Sequence, residues 1–330
     1  AWREGSATFL FLSIGVALSM ISQMYNISGT LSGFLLTWAL LGLPIVYVMR
    51  SSMAGFFYLV MITYFGQHAT NWSKGEMSAF FYWPLLAALV PHYVLLLKED
   101  KEQNNVLYFN WLFPISLVIC FDMMLNDNDH LFFIGYMGLF ALFIHLETIL
   151  QFLNPKPSFN GFGHIGYLGQ IVLLLVLSFD EFWDEIQRDR LGEITAQSFE
   201  WMVLVLIILF FISLVVRKVH YLKRKLTFED VVYPIFLFIY IIGLNSNAAI
   251  VFINILILVL SVAIIMKGLK QAHLGTLNFG LLSLTALIAC RFFDMDLSFV
   301  VRGIVFVLVG IGFFLANVYL IKSRRQHENE

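Results

Sequence analysis

Charge is what this sequence has least of. Asp, Glu, Lys and Arg make up 13% of its 330 residues, against 60% hydrophobic and 16% aromatic residues, whereas a soluble domain is roughly a quarter charged. The mean hydropathy of +0.83 excludes an ordinary soluble class and points to a membrane protein. A net charge of −2 argues against a nucleic-acid partner, which needs a basic face. Cysteine is nearly absent: Cys120 and Cys290 both lie in apolar stretches and read as small core residues, not as a disulfide or a metal pair. No GxSxG, GxxxxGK[ST], HExxH or CxxC occurs, so the signatures of soluble enzymes are missing and no cofactor is implied. A cleavable signal peptide is not expected, because the first apolar run is long for one and no small-residue cleavage site follows it.

What is present is a succession of apolar runs. About twelve have the length and composition of membrane spans, at 7–24, 31–49, 53–69, 77–97, 106–125, 131–153, 161–180, 198–217, 229–244, 247–266, 273–293 and 297–321. The expected fold is therefore all-α, a single multi-spanning membrane domain over 1–330. The piece from Glu181 to Gln197 is expected to form a short surface helix. Lys and Arg are retained in the cytoplasm, and their placement orients the bundle. With the N-terminus inside, the outer loops hold only Lys74, Arg188 and Arg190, with Arg291 and Arg302 inside helices; the rest of the 20 Lys and Arg fall at inner ends. The expected topology is N-in and C-in. The basic run Arg217 to Lys225 reads as a topology anchor beside anionic headgroups.

Five prolines, Pro44, Pro84, Pro91, Pro114 and Pro234, fall within spans, where each frees a carbonyl one turn back and bends its helix. Two sets of glycines offer close-approach faces, Gly29 with Gly33 and Gly163 with Gly166 and Gly169. The two halves of the chain show no clear repeat.

Polar residues at membrane depth are the functional suspects. An inner group comprises His92, His145, Glu147, Gln151, His164 and Gln170. His92 lies roughly 8 Å and Glu147 roughly 9 Å from their inner helix ends at 1.5 Å rise per residue, so a shared pocket open to the cytoplasm is geometrically possible. A buried Glu beside a neutral His can exchange a proton near neutral pH; a structural hydrogen bond or snorkelling of Glu147 is the plainer role. An outer group spans the turn from Arg291 to Gly303. Arg291 and Arg302 run against the positive-inside rule and need partners among Asp294, Asp296 and Asp122. An ion-paired clamp is expected, with an outward-facing anion site as the alternative.

The first hairpin resembles a bacterial family of membrane proteins, domain of unknown function 2157. The resemblance is carried by Gly15, Leu18, Gln23 and Tyr25 at the end of the first run. It continues in Trp38-Ala39-Leu40, Pro44 and Arg50-Ser51 along the second. It implies a location in the bacterial inner membrane, no known reaction and no catalytic residues. Family members often begin with a cytoplasmic helical region, and with Ala1 in place of Met, further residues are expected before it. The leading functional expectation is a transporter-like or permease-like bundle acting on an unidentified small molecule or ion. The rival is a non-transporting envelope scaffold or accessory subunit with protein partners. An intramembrane enzyme is disfavoured, since no nucleophile–base pair is present; membrane lipid is the one partner that composition requires.

Overall fold

The computed structural model describes residues 2–71, 79–99, 104–124, 129–153, 161–188, 199–220, 223 and 227–294, with a few single positions between 303 and 318. Among these the regular structure is entirely helical. The α-helices are α1 (Trp2–Met24), α2 (Leu31–Val48), α3 (Ser52–Asn71), α4 (Tyr82–Glu99), α5 (Asn104–Phe121) and α6 (Asp129–Leu153). They continue with α7 (Gly161–Val176), α8 (Asp180–Arg188), α9 (Phe199–His220), α10 (Val232–Gly243), α11 (Ala248–Lys270) and α12 (Leu274–Asp294). One helix stands on each expected apolar run up to 273–293, and α8 is the short helix expected after Glu181. The run at 297–321 lies mostly outside the described residues. Among the described residues four helical stretches are long and apolar enough to cross a membrane: Trp2–Met24, Leu31–Val48, Ala248–Lys270 and Leu274–Phe292.

The chain divides into two compact units. Unit 1 comprises Ala1–Gly166 and Gln197–Leu214; unit 2 comprises Tyr167–Ala196 and Val215–Glu330.

In unit 1, α3 is the central helix and packs against α1, α2, α4 and α5. Its buried face carries Tyr58, Leu59, Ile62 and Phe65. The first hairpin is locked by one aromatic residue. Trp38 lies over Gly15, where an added Cβ would come within 2.6 Å of its ring, and its indole N–H donates to the Phe11 carbonyl at 2.8 Å. Phe11 in turn fills the notch at Gly42. Thr30 starts α2 by accepting from the Gly33 N–H at 3.2 Å, a normal N-cap.

The two ends of this hairpin are tied together. Arg50 takes a φ of 45° and turns the chain out of α2. Ser51 then caps α3, accepting from the Ala54 N–H at 3.2 Å. Glu4 completes the cap: its carboxylate accepts from the Ser51 hydroxyl and from the N–H groups of Ser52 and Met53 at 3.2 and 3.1 Å. A carboxylate at a helix N-terminus satisfies orphan donors and complements the helix dipole. Glu4→Ala should lower stability by about 1–2 kcal/mol, the scale of charge-assisted hydrogen bonds reduced for partial exposure. Glu4→Gln, which keeps an acceptor, should cost less. Thermal unfolding in detergent separates the two; equal losses would show that the acceptor oxygen is not what matters.

Unit 2 is built on the α11–α12 hairpin, with α10 against α11. Close approach is possible because a Cβ at Gly268 would lie 2.5 Å from the Leu277 nitrogen and one at Gly280 2.8 Å from Ile265. The expected surface helix α8 buries one side: Trp183 is 0% exposed, its indole N–H donates to the Leu177 carbonyl at 2.8 Å, and its ring meets Tyr240 of α10 at 5.6 Å.

Two sequence expectations change. Pro84 and Pro234 stand in the first turns of α4 and α10, where a helix has no N–H partner to lose. Gly29 and Gly33 form no helix–helix face: Gly29 is in the turn before α2 with open space around it, and Gly33 meets only Thr30.

Candidate functional site

The expected inner group is distributed among several neighbours. His92 on α4 is buried, edge-on to Tyr47 of α2 at 6.0 Å and to Phe109 of α5 at 6.1 Å. Beside it Tyr47 donates to the Ala88 carbonyl, and Tyr93 donates to the Asn110 side-chain oxygen. His145 on α6 holds the Ala141 carbonyl through Nδ1 at 2.8 Å, and its ring meets Phe211 of α9 at 4.9 Å. Glu147, two residues on, faces another way, as residues two apart on a helix must. Its carboxylate overlies Gly163 in the first turn of α7, where an added Cβ would be 2.0 Å from Oε2. That position sets a negative charge against the positive end of α7. His164 is exposed and lies against the Trp111 ring at 5.5 Å. The side chain of Gln151 lies outside the described residues. Gln170 belongs to unit 2.

A second arrangement in unit 1 was not legible in the sequence. A cleft of about 320 Å³ runs between α3 and α5, with Thr63, Gln67, Leu112, Ile115 and Ser116 among its walls. Behind it Tyr82 OH and Ser116 Oγ are 2.7 Å apart, Ser116 Oγ and Thr63 Oγ1 2.6 Å, and Thr63 donates to the Leu59 carbonyl at 2.7 Å. Each hydroxyl has one proton, and the Leu59 carbonyl is acceptor only. The chain therefore runs in one direction, from Tyr82 to Ser116 to Thr63 to Leu59. Gln67 donates to the Ile119 carbonyl, and the Cys120 thiol to the Thr63 carbonyl at 3.6 Å.

In unit 2 ionic groups gather at the basic run that the sequence reads first as a topology anchor. Lys218, inside the basic run, is buried and reaches both carboxylate oxygens of Asp230 at 2.7 and 2.8 Å. It also donates to Thr227 Oγ1 at 3.0 Å, while the Thr227 N–H donates to Asp230 at 2.6 Å. Lys267 of α11 joins Glu229 at 2.9 Å and the Tyr167 hydroxyl of α7 at 2.8 Å. The signal for Asp230 was present in Thr227-x-x-Asp230, the capping-box spacing ahead of an apolar run.

Arg291 of the outer group donates to the carbonyl and hydroxyl of Ser178 at 2.8 and 3.1 Å and sits 5.0 Å above the Phe179 ring. Tyr167 in α7 and Ser178 in the turn just after it are eleven residues apart, about three helical turns, so Lys267 meets α7 near its middle and Arg291 meets the turn that follows it. Gln170 lies one turn from Tyr167. It is 1% exposed, and its amide nitrogen has no hydrogen-bond partner among the described residues. Asp122 is exposed in a single 3₁₀ turn after α5. The Asp294 side chain, Asp296 and Arg302 lie outside the described residues. Among the described residues no three His, Cys, Asp or Glu side chains gather as metal ligands.

Of the hairpin motif, Gly15 and Trp38 interlock and Ser51 caps α3, whereas Gln23, Tyr25 and Pro44 are exposed. The architecture is thus that of an all-helical protein of membrane character. A family model described as predicted membrane protein, DUF2157, matches residues 1–55, from α1 to the first turn of α3. This is the family resembled by the Gly15, Trp38 and Arg50-Ser51 pattern. No match was found among curated proteins or solved structures.

Proposed function

We propose that the chain is a multi-pass protein of the bacterial inner membrane, with about twelve spans and both termini in the cytoplasm, as span length and the inward bias of Lys and Arg suggest. In this reading it is a permease-like bundle, not an enzyme, with a polar pocket open to the cytoplasm for an unidentified small molecule or ion. The observation that carries the reading is Gln170. A buried amide left unpaired costs about 1–3 kcal/mol, and this one lies roughly 14 Å up α7 from Gly161, near mid-depth of a ~30 Å hydrocarbon core. A water or a polar solute beside it removes that cost. Below it, Tyr167, Lys267 and Glu229 form a polar rim.

Thiol accessibility tests the reading. With Cys120 and Cys290 replaced by Ala, a Gln170→Cys variant is treated with a charged, membrane-impermeant thiol reagent from the cytoplasmic face. Only a hydrated thiolate reacts, so modification should be at least about tenfold faster than for Leu260→Cys, a dry core position on α11. Equal, slow rates would favour the rival reading, a solid bundle acting as an envelope scaffold or accessory subunit.

A further inference from the structure

We infer that the α3–α5 cleft of unit 1 seats one acyl chain of a membrane phospholipid. The volume, about 320 Å³, is at the small end of the ~300–1,000 Å³ range of ligand pockets. Thr63 lies eleven residues into α3 and Ser116 twelve into α5, a rise of roughly 16–18 Å. The cleft is therefore at the level of the hydrocarbon core once these helices cross a bilayer. Its rim is formed by Val60, Tyr64, Ile115 and Ile119, all exposed, so the mouth opens sideways, toward lipid.

The wall chemistry selects the occupant. Thr63, Ser116 and Gln67 are polar by residue type, yet each is committed within the protein, Thr63 to the Leu59 carbonyl, Ser116 to Thr63 and Gln67 to the Ile119 carbonyl. What they turn to the cleft is methyl and methylene surface. Water needs roughly two to four polar partners to remain in such a space, and this wall turns almost no polar surface toward it. An unfilled apolar space forfeits dispersion contacts along its lining. The bilayer presents acyl chains at that depth and little else of that shape. The assignment rests on α3 and α5 lying in the membrane and is independent of transport or Gln170.

The test is photo-crosslinking of the full chain in phosphatidylethanolamine–phosphatidylglycerol vesicles containing a trace of phosphatidylcholine with a mid-chain diazirine. Adducts in 59–67 and 112–119 should exceed those on 251–262 of α11, an equally exposed apolar face, by about fivefold, a modest binding preference. Ile115→Trp, which fills the mouth, should bring the cleft down to the α11 level; if that variant does not fold, Val60→Trp fills it from the opposite wall. Equal labelling of both faces in the unmodified protein, or cleft labelling that survives both Trp variants, would overturn the inference. So would displacement of the label by a small fraction of an isoprenoid alcohol but not by the same fraction of unlabelled phospholipid.

Discussion

Asp230→Ala is expected to destabilise the protein by about 3–5 kcal/mol, because removing one member of a buried ion pair strands the other. Lys218 is 6% exposed and Asp230 3%, so water cannot take over the solvation of the ammonium. Of the described partners only Thr227 Oγ1, at 3.0 Å, would remain to it. The change also removes the acceptor of the Thr227 N–H, which orders the entry into α10. Removing both charges together should be far milder. Lys218→Met with Asp230→Asn keeps the volume and an acceptor for Thr227 and strands no charge, leaving at most the cost of one unpaired amide, about 1–3 kcal/mol. A double-mutant cycle read by thermal unfolding in detergent should give strong non-additivity. Losses that simply add would mean that Lys218 and Asp230 contribute separately.

Trp183→Ala should lower stability by a similar amount, about 3–5 kcal/mol for deleting a fully buried aromatic side chain. The ring occupies a notch that only a glycine allows: a Cβ at Gly243 would fall 1.9 Å from it. Truncation empties that notch and leaves the Leu177 carbonyl without its indole donor. Trp183→Phe should cost less, since the ring contact with Tyr240 survives while the hydrogen bond does not. Gly243→Ala, which overfills the same notch, should cost about 1–3 kcal/mol. Because both act on one space, Trp183→Phe should relieve part of the Gly243→Ala penalty, measurable as a partial recovery of the melting temperature. An unchanged penalty would mean that the two residues do not share a notch.

Helix positions were legible because an apolar run of span length needs no periodicity to be recognised, and each described helix except α8 falls on such a run. The hairpin motif was legible as a pattern but not as a mechanism. Nothing in the spacing of Gly15 and Trp38 says that the ring lies over the glycine. The Glu4 cap was invisible because a lone acidic residue before a span looks like an ordinary solvated end. Lys218 was not singled out because of its neighbours: in a run of basic residues, one that turns inward is not marked by composition. Trp183 was hidden in a segment so acidic that its apolar side was easily passed over. The α3–α5 cleft depends on Thr63 and Ser116 being brought together across 53 residues of chain. Hydroxyls inside apolar helices commonly return to their own backbone, so their type alone carried no message. For the inner group, depth was legible for His92 and Glu147 but rotation about each helix axis was not: His92 meets Tyr47 and Phe109, His145 meets Phe211, and Glu147 overlies Gly163.

The Glu4 cap on α3 has a consequence for how the chain is made. If α1 and α2 cross the bilayer as proposed, hydrogen bonds from Ser51, Ser52 and Met53 to Glu4 require both ends of the first hairpin to finish on the same side of it, whichever side that is. During synthesis the start of α3 is the first point at which this can be checked, since only then does the carboxylate find its donors. A nascent chain whose first two segments had inserted with the wrong parity would leave Glu4 and Ser51 on opposite faces, with neither satisfied. The stretch matched by the family model, residues 1–55, ends just after those donors. It therefore contains both the carboxylate and its three described donors.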